Sequence, residues 1–505
     1  MKPAATHDPA RSASGGNTGR DGAEVSRGRS SSPGVGRAKG RTTRHKEQRG
    51  RTSTNPINPD GPGTAAVNPK RALNQDEGMK TTTTTPDLLD AVLDSDNLRR
   101  AWVRVKANRG APGIDGVTCE DFPAWSRSHW PALRQQIESG RYQPQAVRRV
   151  EIPKPAGGSR LLGIPTVMDR VIQQAIAQVL TPLFEPGFSD SSFGFRPGRN
   201  AHQAIRQVQG FVKDGYRWAV DLDLARFFDT VNHDLLMARL ARVFTDRRLL
   251  ALIGRYLRAG VLVGGHQFEP SEVGTPQGGP LSPLLANVLL DALDTELLRR
   301  GHRFARYADD VVILVKSQRA GERVMRSLTH FLQHRLKLTV NPAKSRVALM
   351  SDCSFLSFTV KGKKIRWTDK ALLNFKHRVR KLTGRSWGVS MDYRLKRLAQ
   401  YLRGWLGYFG ISQYYRPVPE LDEWIRRRVR MCYWKQWRWA RTKIRNMLNL
   451  GVALKAAIQH GVSSLSYWRM ARTPVTQQAM SNAWLKEQGL LSVKDLWCKA
   501  QGYSA

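Results

Sequence analysis

The stretch RYADDVVILV, Arg306 to Val315, sets two adjacent carboxylates directly against five aliphatic residues. Val311 to Val315 is short and mostly β-branched, which reads as a buried strand. Side chains alternate faces along a strand, so two neighbouring acids inside one would leave a carboxylate buried without a partner, at high cost. His302 to Arg306 also suits a short strand. Tyr307 to Asp310 is therefore expected in the tight turn of a β-hairpin. A solvated Asp-Asp turn is an equally good reading of this fragment alone, because Asp is common in turns. A third carboxylate on a neighbouring strand decides between the two: acids held close repel unless a cation binds them, and hard divalent cations take oxygen ligands.

That third acid is found in AVDLDLARFFDTVNHDLL, Ala219 to Leu236. Trp218, Val220, Leu222 and Leu224 alternate with Asp221 and Asp223, a strand signal, and Asn232 with His233 then opens a helix. The two acids share one face, and Asp223 lies near the end of the strand. Asp223 and Asp309 are 86 residues apart, enough for a helical crossover and an insertion between paired strands. Three carboxylates around two magnesium ions is the arrangement for in-line phosphoryl transfer, where one ion lowers the pKa of a 3′-hydroxyl and the other holds the triphosphate and the leaving pyrophosphate.

The composition of the chain fits a polyanionic partner. The 505 residues include 82 Lys and Arg against 41 acids, a net charge of +41, with an ordinary 40% of hydrophobic residues. Nucleic acid is the simplest partner for such a charge. An anionic membrane is the alternative, but no apolar stretch approaches the length of a spanning helix, and the N-terminus has no apolar signal core. Cys119, Cys353, Cys432 and Cys498 form no CxxC pair, against a disulfide framework and a cysteine-based zinc site and in keeping with a reducing cytoplasm.

Residues 1–78 contain no Phe, Trp or Tyr and a single Ile, Ile57. Such a segment is expected to be disordered. It holds 14 Lys and Arg against 7 Asp and Glu, a net of +7, so the remaining residues carry +34. Met79 precedes the first helical signals, Thr85-Pro86-Asp87 followed by Leu88, Leu89, Val92 and Leu93, and is expected to be the true start, with the tail an upstream extension. From Met79 to about Gly362 short strands mix with helices; after Trp367 the strands fade. Residues 369–450 read as long basic helices, with Leu395, Leu398, Leu402 and Leu406 as one apolar stripe.

In their order, these segments resemble the motif set of reverse transcriptases, and specifically of the group II intron-encoded maturases. YADD at Tyr307 to Asp310 resembles the polymerase C motif, DLARFFD (Asp223 to Asp229) the A motif, and GTPQGGPLSPLLANVLLDALD (Gly274 to Asp294) the B motif. NRGAPGIDGVT (Asn108 to Thr118), IPKPAGGSRLLGIPTVMDRVIQQ (Ile152 to Gln174) and FGFRPGRNAHQA (Phe193 to Ala204) resemble the fingers and early palm, and LTVNPAKS (Leu338 to Ser345) the D motif. The resemblance runs from about residue 85 almost to the C-terminus, and seven motifs in the right order are highly specific.

It implies an α+β right-hand polymerase. Residues 79–200 would be an N-terminal extension and fingers, 201–362 an antiparallel-sheet palm, 363–455 a helical thumb or maturase X region, and 456–505 a small helical DNA-binding region. Asp223, Asp309 and Asp310 would hold two Mg²⁺ ions, with Mn²⁺ as a substitute. Phe228 would exclude a 2′-hydroxyl from beneath the incoming sugar; a core aromatic is the competing reading, and Phe227 shares the ambiguity. Lys154 and Arg160 would grip the triphosphate, a point charge beside a bidentate fork. Gln277 would pack on the nascent pair from a glycine-rich loop. Lys344 would protonate pyrophosphate, or be a plain surface lysine. Tyr307 would support the primer end, or simply pack; Asp221 and Asp229 are read as structural. Two departures stand out: Ser357 replaces the usual Gly in FLSF (Phe355 to Phe358), which touches the detail of the primer grip, and Ala225-Arg226 replaces Glu-Lys.

WIRRRVRMCYWKQWRWARTK, Trp424 to Lys443, interleaves arginines with aromatics, an RNA-binding composition. Arg426, Arg427, Arg430, Lys435 and Arg438 are its candidate RNA contacts, with some of the tryptophans in the core. Together with YLRGWLGYFG (Tyr401 to Gly410) it resembles the maturase thumb, and Tyr467 to Val493 resembles the DNA-contacting region. The His-Asn-His nuclease of some relatives is absent, so the protein is expected not to nick the second DNA strand. The partners implied are intron RNA, template RNA, primer and target DNA, and dNTPs, in the bacterial cytoplasm and at the nucleoid. A free-standing reverse transcriptase in DNA repair or antiviral defence, and a non-catalytic splicing cofactor, are the alternatives.

Overall fold

The structure, a computed structural model, describes residues 87–153, 159–264, 267–275 and 278–503. The tail 1–78, Lys154 and Gln277 lie outside them, as does the side chain of Arg160.

Among the described residues ten strands fall within Val147–Trp367: β1 (Val147–Pro153), β2 (Ser159–Ile164), β3 (Trp218–Leu222), β4 (Val261–Val263), β5 (Gln267–Glu269), β6 (Arg303–Tyr307), β7 (Asp310–Val315), β8 (Arg346–Leu349), β9 (Phe358–Lys361) and β10 (Lys364–Trp367). They form sheets in the orders β2-β1-β4-β5, β6-β7-β3-β8 and β10-β9. The second sheet is antiparallel throughout, with Leu222 opposite Val311 and Tyr307 opposite Asp310. After β10 the described chain is helical. This is an α+β fold.

Alternation along β3 and β7 gives the central sheet two faces. Val220, Leu222, Val311 and Ile313 turn into the largest core, which runs from Leu88 to Val340 and includes the largely buried helices Val167–Phe184 and Ser282–Arg299. Ala219, Val312 and Leu314 turn the other way, against the helix Ala201–Lys213 and the Phe355 and Phe358 rings. A third core, from Trp367 to Trp497, unites the helices of the C-terminal half around Phe375, Leu398, Leu402 and Trp434. The leucine stripe lies on the helix Met391–Phe409, and all four of its members are buried. The arginine-tryptophan segment is two helices, Pro417–Gln436 and Ala440–Asn449, broken at Trp437. The four cysteines are free, and among the described residues no helix is long and apolar enough to cross a membrane.

Candidate active site

The hairpin expected at YADD is present. β6 ends at Tyr307 and β7 begins at Asp310, leaving Ala308 and Asp309 as a two-residue turn, with Ala308 at φ 59°. β3 lies directly against β7, so Asp223, the residue after β3, comes to the same end of the sheet. By alternation Asp221 shares its face with Asp223, and Asp310 shares its face with Val312.

The turn is anchored from below by a residue that sequence reading did not single out. Arg306 is fully buried. Its Nε and Nη2 donate to Asp294 Oδ1 and Oδ2 at 2.8 and 2.5 Å, and its Nη1 donates to Asn287 Oδ1 and to the Ala308 carbonyl, both at 2.9 Å. Asn287 Nδ2 in turn donates to the Gly194 carbonyl at 2.9 Å. Gly194 lies so close beneath the turn that a Cβ would collide with the backbone N of Ala308. The FGFRPGR loop is itself stapled by Arg196, whose Nη1 donates to the Ser192 carbonyl at 2.8 Å. The B, C and FGFRPGR motifs thus form one bonded network, of which the only sequence signal was a charged residue in an apolar strand next to YADD.

A second loop holds Asp223. The Asn341 backbone N–H donates to the Asp223 carbonyl at 2.8 Å, and the Asp223 N–H donates to Ser345 Oγ at 3.0 Å. This places Lys344 Nζ 3.5 Å from Asp223 Oδ2. The lysine reaches the site, and the side chains of both partners stay accessible, at 67% and 40%.

Electrostatics mark the sheet end. Burial pushes the Asp310 carboxyl up to about 7, reinforced by the charges of Asp221, Asp309 and Asp223 and opposed by a hydrogen bond from the Leu356 backbone. Asp221 is raised as well, by burial and by Asp223, against the pull of Arg346 3.8 Å away. Among the neighbouring charges, Asp221 acts on Asp310 more strongly than Asp309 or Asp223. The FLSF departure also reaches the site: Leu356 and Ser357 take φ 53° and 65° in a tight hairpin, and Tyr408 Oη donates to the Leu356 carbonyl at 3.0 Å.

The pair Phe227 and Phe228 separates cleanly. Phe227 is buried in the large core, whereas Phe228 is half-buried and lines a cavity of about 450 Å³ with Arg149, Leu161, Gly163, Arg226 and Thr275. The glycine-rich B loop makes the close approaches expected of it: Gly278, at φ 131°, would put a Cβ 2.5 Å from the Gly163 carbonyl.

The five basic candidates of the C-terminal half do not form one exposed face. Arg438 is exposed beside the exposed Trp439, and Lys435 lies 5.1 Å from the Tyr467 ring. Arg426 and Arg427 are half-buried. Arg430 is 5% exposed and lies beneath the surface, donating to the Met480 carbonyl at 2.8 Å and to Asn482 Oδ1 at 3.0 Å. The helix places position 430 inward, one turn before the buried Trp434. Trp434 is core, at 1% exposure.

Comparison with known proteins accords with this geometry. Residues 152–360 match the family described as Reverse transcriptase (RNA-dependent DNA polymerase), and residues 372–451 the family described as Group II intron, maturase-specific domain. Protein YkfC of Escherichia coli strain K12 is 34% identical over 286 residues, which cover 49% of this chain and 75% of YkfC. The group II intron-encoded protein LtrA of Lactococcus lactis subsp. cremoris is 33% identical over 250 residues, 49% of this chain and 40% of LtrA. The chain belongs to the group II intron reverse transcriptases and maturases. This reverse transcriptase joins an RNA-directed DNA polymerase to a role in intron splicing and works on nucleic acid; the reverse transcriptase family generally uses divalent metal ions. The match spans three quarters of YkfC but only two fifths of LtrA. Among solved structures, a partial Cas6-RT-Cas1–Cas2 complex is similar at 24% identity over 53% of this chain and 46% of that chain, with a TM-score of 0.33.

Proposed function

We propose that the sheet end formed by Asp223, Asp309 and Asp310 is the polymerising centre, and that it extends a DNA primer on an RNA template by two-metal nucleotidyl transfer. The observation that carries this reading is the direct pairing of β3 with β7, which sets Asp223 beside the Asp309-Asp310 turn. Among the described residues no three acidic, histidine or cysteine side chains converge tightly enough to cage an ion by themselves. Mg²⁺ there would have to complete its shell with water and substrate phosphates, as it commonly does. The donor set is only oxygens, with Asp310 raised chiefly by burial and further by the neighbouring carboxylates, a repulsion that a cation would relieve. Bound there, Mg²⁺ ions would supply charge neutralisation for the nucleotide and activation of the primer 3′-hydroxyl.

The chain's own residues do the rest. Arg306 and Gly194 fix the turn; Lys344, held on the Asn341–Ser345 loop, delivers a proton to the pyrophosphate; Phe228 closes the space beneath the sugar. Lys154 and Arg160 grip the triphosphate, and Gln277 packs against the new pair. Residues 79–200 serve as fingers, 201–362 as palm, 363–455 as thumb and 456–505 as a DNA-contacting region. Through the basic C-terminal half the protein binds its host intron RNA and carries it into DNA targets.

Primer extension on an RNA template with dNTPs and Mg²⁺ tests the centre. The intact chain should synthesise DNA, and an Asp309→Ala, Asp310→Ala double variant should not, while still binding intron RNA and assisting splicing. Equal synthesis by both would remove these acids from the reaction.

A further inference from the structure

The C-terminal half contains a pocket that polymerisation does not use. The helix Pro417–Gln436 and the segment from Tyr467 to Asn482 enclose a cavity of about 540 Å³. Arg426, Arg427, Arg430 and Arg472 line it, with Trp424 and Trp468.

These arginines lack counter-charges. None of Arg427, Arg430 and Arg472 has an ion-pair partner among the described residues. Arg426 reaches only Asp422, at 3.9 Å. Asp422 is already engaged: it accepts the Val493 and Lys494 backbone N–H groups at 2.6 and 3.0 Å and the Ser492 hydroxyl at 2.9 Å, capping the helix Val493–Gln501. Glu420 and Glu423 also border the cavity, but both are exposed and neither is ion-paired with the four arginines.

Two of the arginines are oriented from within. Arg427 stacks 3.8 Å over the Trp468 ring and donates from Nε and Nη2 to the Trp468 carbonyl at 3.2 and 3.0 Å. Arg430, 5% exposed, is fixed on Met480 and Asn482. Burial lowers the pKa of both, to about 10 for Arg430, with repulsion from Arg472 acting on Arg427 and from Arg426 on Arg430. A half-buried, mutually repelling set of oriented guanidiniums is favourable only with an anion between them, and planar forks suit phosphate oxygens.

We propose that this pocket grips a backbone phosphate of bound nucleic acid, as a built anchor distinct from the polymerising centre. The inference rests on the reading of this half of the chain as a nucleic-acid-binding region. The shared chemistry is a phosphodiester, and its two sources are structured intron RNA and duplex target DNA.

The test is binding of a structured intron RNA and of a 30-base-pair DNA duplex across a salt series. The variants are Arg426→Gln with Arg472→Gln, neither of which bonds the main chain, and a control pair, Arg326→Gln with Arg335→Gln, exposed on the helix Gln318–Arg335. The pocket pair should weaken one ligand by about tenfold and flatten its log–log salt slope by about one unit for each phosphate no longer neutralised, beyond any effect of the control pair. The ligand that responds identifies the source. Equal effects of the two pairs on both ligands would overturn the pocket. If the intact chain binds neither ligand, the reading of the C-terminal half falls instead. Should the double variant fail to fold, Arg472→Gln alone, at an exposed position, serves with the same criterion against Arg326→Gln.

Discussion

Arg306 and Asp294 form a two-bond ion pair in which both side chains are wholly inaccessible to solvent. One partner lies on a strand beside the candidate catalytic turn and the other deep on the helix Ser282–Arg299, so the pair ties the height of the turn to the core. Removing one member leaves a buried charge unpaired, at about 3–5 kcal/mol. Asp294→Asn should lower the urea midpoint accordingly. Arg306→Lys keeps the charge but cannot span Asp294, Asn287 and the Ala308 carbonyl together. It should depress kcat far more than it raises KM for primer–template. Equal changes in both would mean that Arg306 acts on stability alone.

The two phenylalanines after Asp223 should separate function from packing. Phe227→Ala should cost about 3–5 kcal/mol by emptying a core site. Phe228→Val should leave the urea midpoint nearly unchanged and raise ribonucleotide incorporation relative to dNTPs on the order of 10- to 100-fold, the scale on which small changes of shape in an apolar pocket discriminate. Competing extension with the two nucleotide classes measures the ratio. An unchanged ratio would return Phe228 to a packing role.

The separation of Phe227 from Phe228 illustrates what the sequence could and could not carry. The hairpin, the strand that leads to Asp223 and the buried leucine stripe were legible because each has its own period or turn signature. The Arg306 network was not, because its partners lie 12 and 19 residues away in the B-motif segment, where no local period or turn signal pairs them with Arg306. The burial of Arg430 was not legible for the opposite reason. Composition counted it with its exposed neighbours, while its buried acceptors, Met480 and Asn482, lie 50 and 52 residues further on.

Ser357 occupies left-handed backbone, φ 65°, directly after Leu356 at φ 53°. A non-glycine residue in that region bears roughly 1–2 kcal/mol of steric cost, partly offset by the unfolded-state entropy that a glycine would add. Ser357→Gly should therefore stabilise the protein by about 0.5–1 kcal/mol. The same turn contributes the Leu356 backbone hydrogen bond to Asp310, so extension activity should be retained. Loss of activity on restoring glycine would show that the hydroxyl itself has work at the primer.

Asp291, which is not itself a candidate metal ligand, predicts a pH dependence of stability. Burial, aided by the charge of Asp294, pushes its carboxyl from the usual 3.8 up to about 6, against the pull of Arg306, Arg239 and Arg196. A carboxyl that holds its proton more tightly in the folded state stabilises that state most below its unfolded pKa, and the contribution is lost as pH rises through the folded value. The Asp291 contribution should thus be full below about pH 4 and gone above about pH 6. Asp291→Asn should flatten that part of the urea-midpoint profile. A wild-type slope left intact by the substitution would assign the dependence to another group.

Lys344 offers a clean division between charge and proton delivery. Its ion pair with Asp223 is exposed, so it is worth at most about 1 kcal/mol, and Lys344→Ala should leave the fold unaltered. As a general acid, the lysine should supply about 10²- to 10⁴-fold in rate, which single-turnover extension would show as lost in the alanine variant. Arginine retains the positive charge and the reach but surrenders a proton poorly. Lys344→Arg should therefore bind dNTP nearly as well as the native chain while remaining as slow as Lys344→Ala. A fast arginine variant would mean that the residue serves only as a positive charge beside Asp223, and that the proton for pyrophosphate comes from elsewhere.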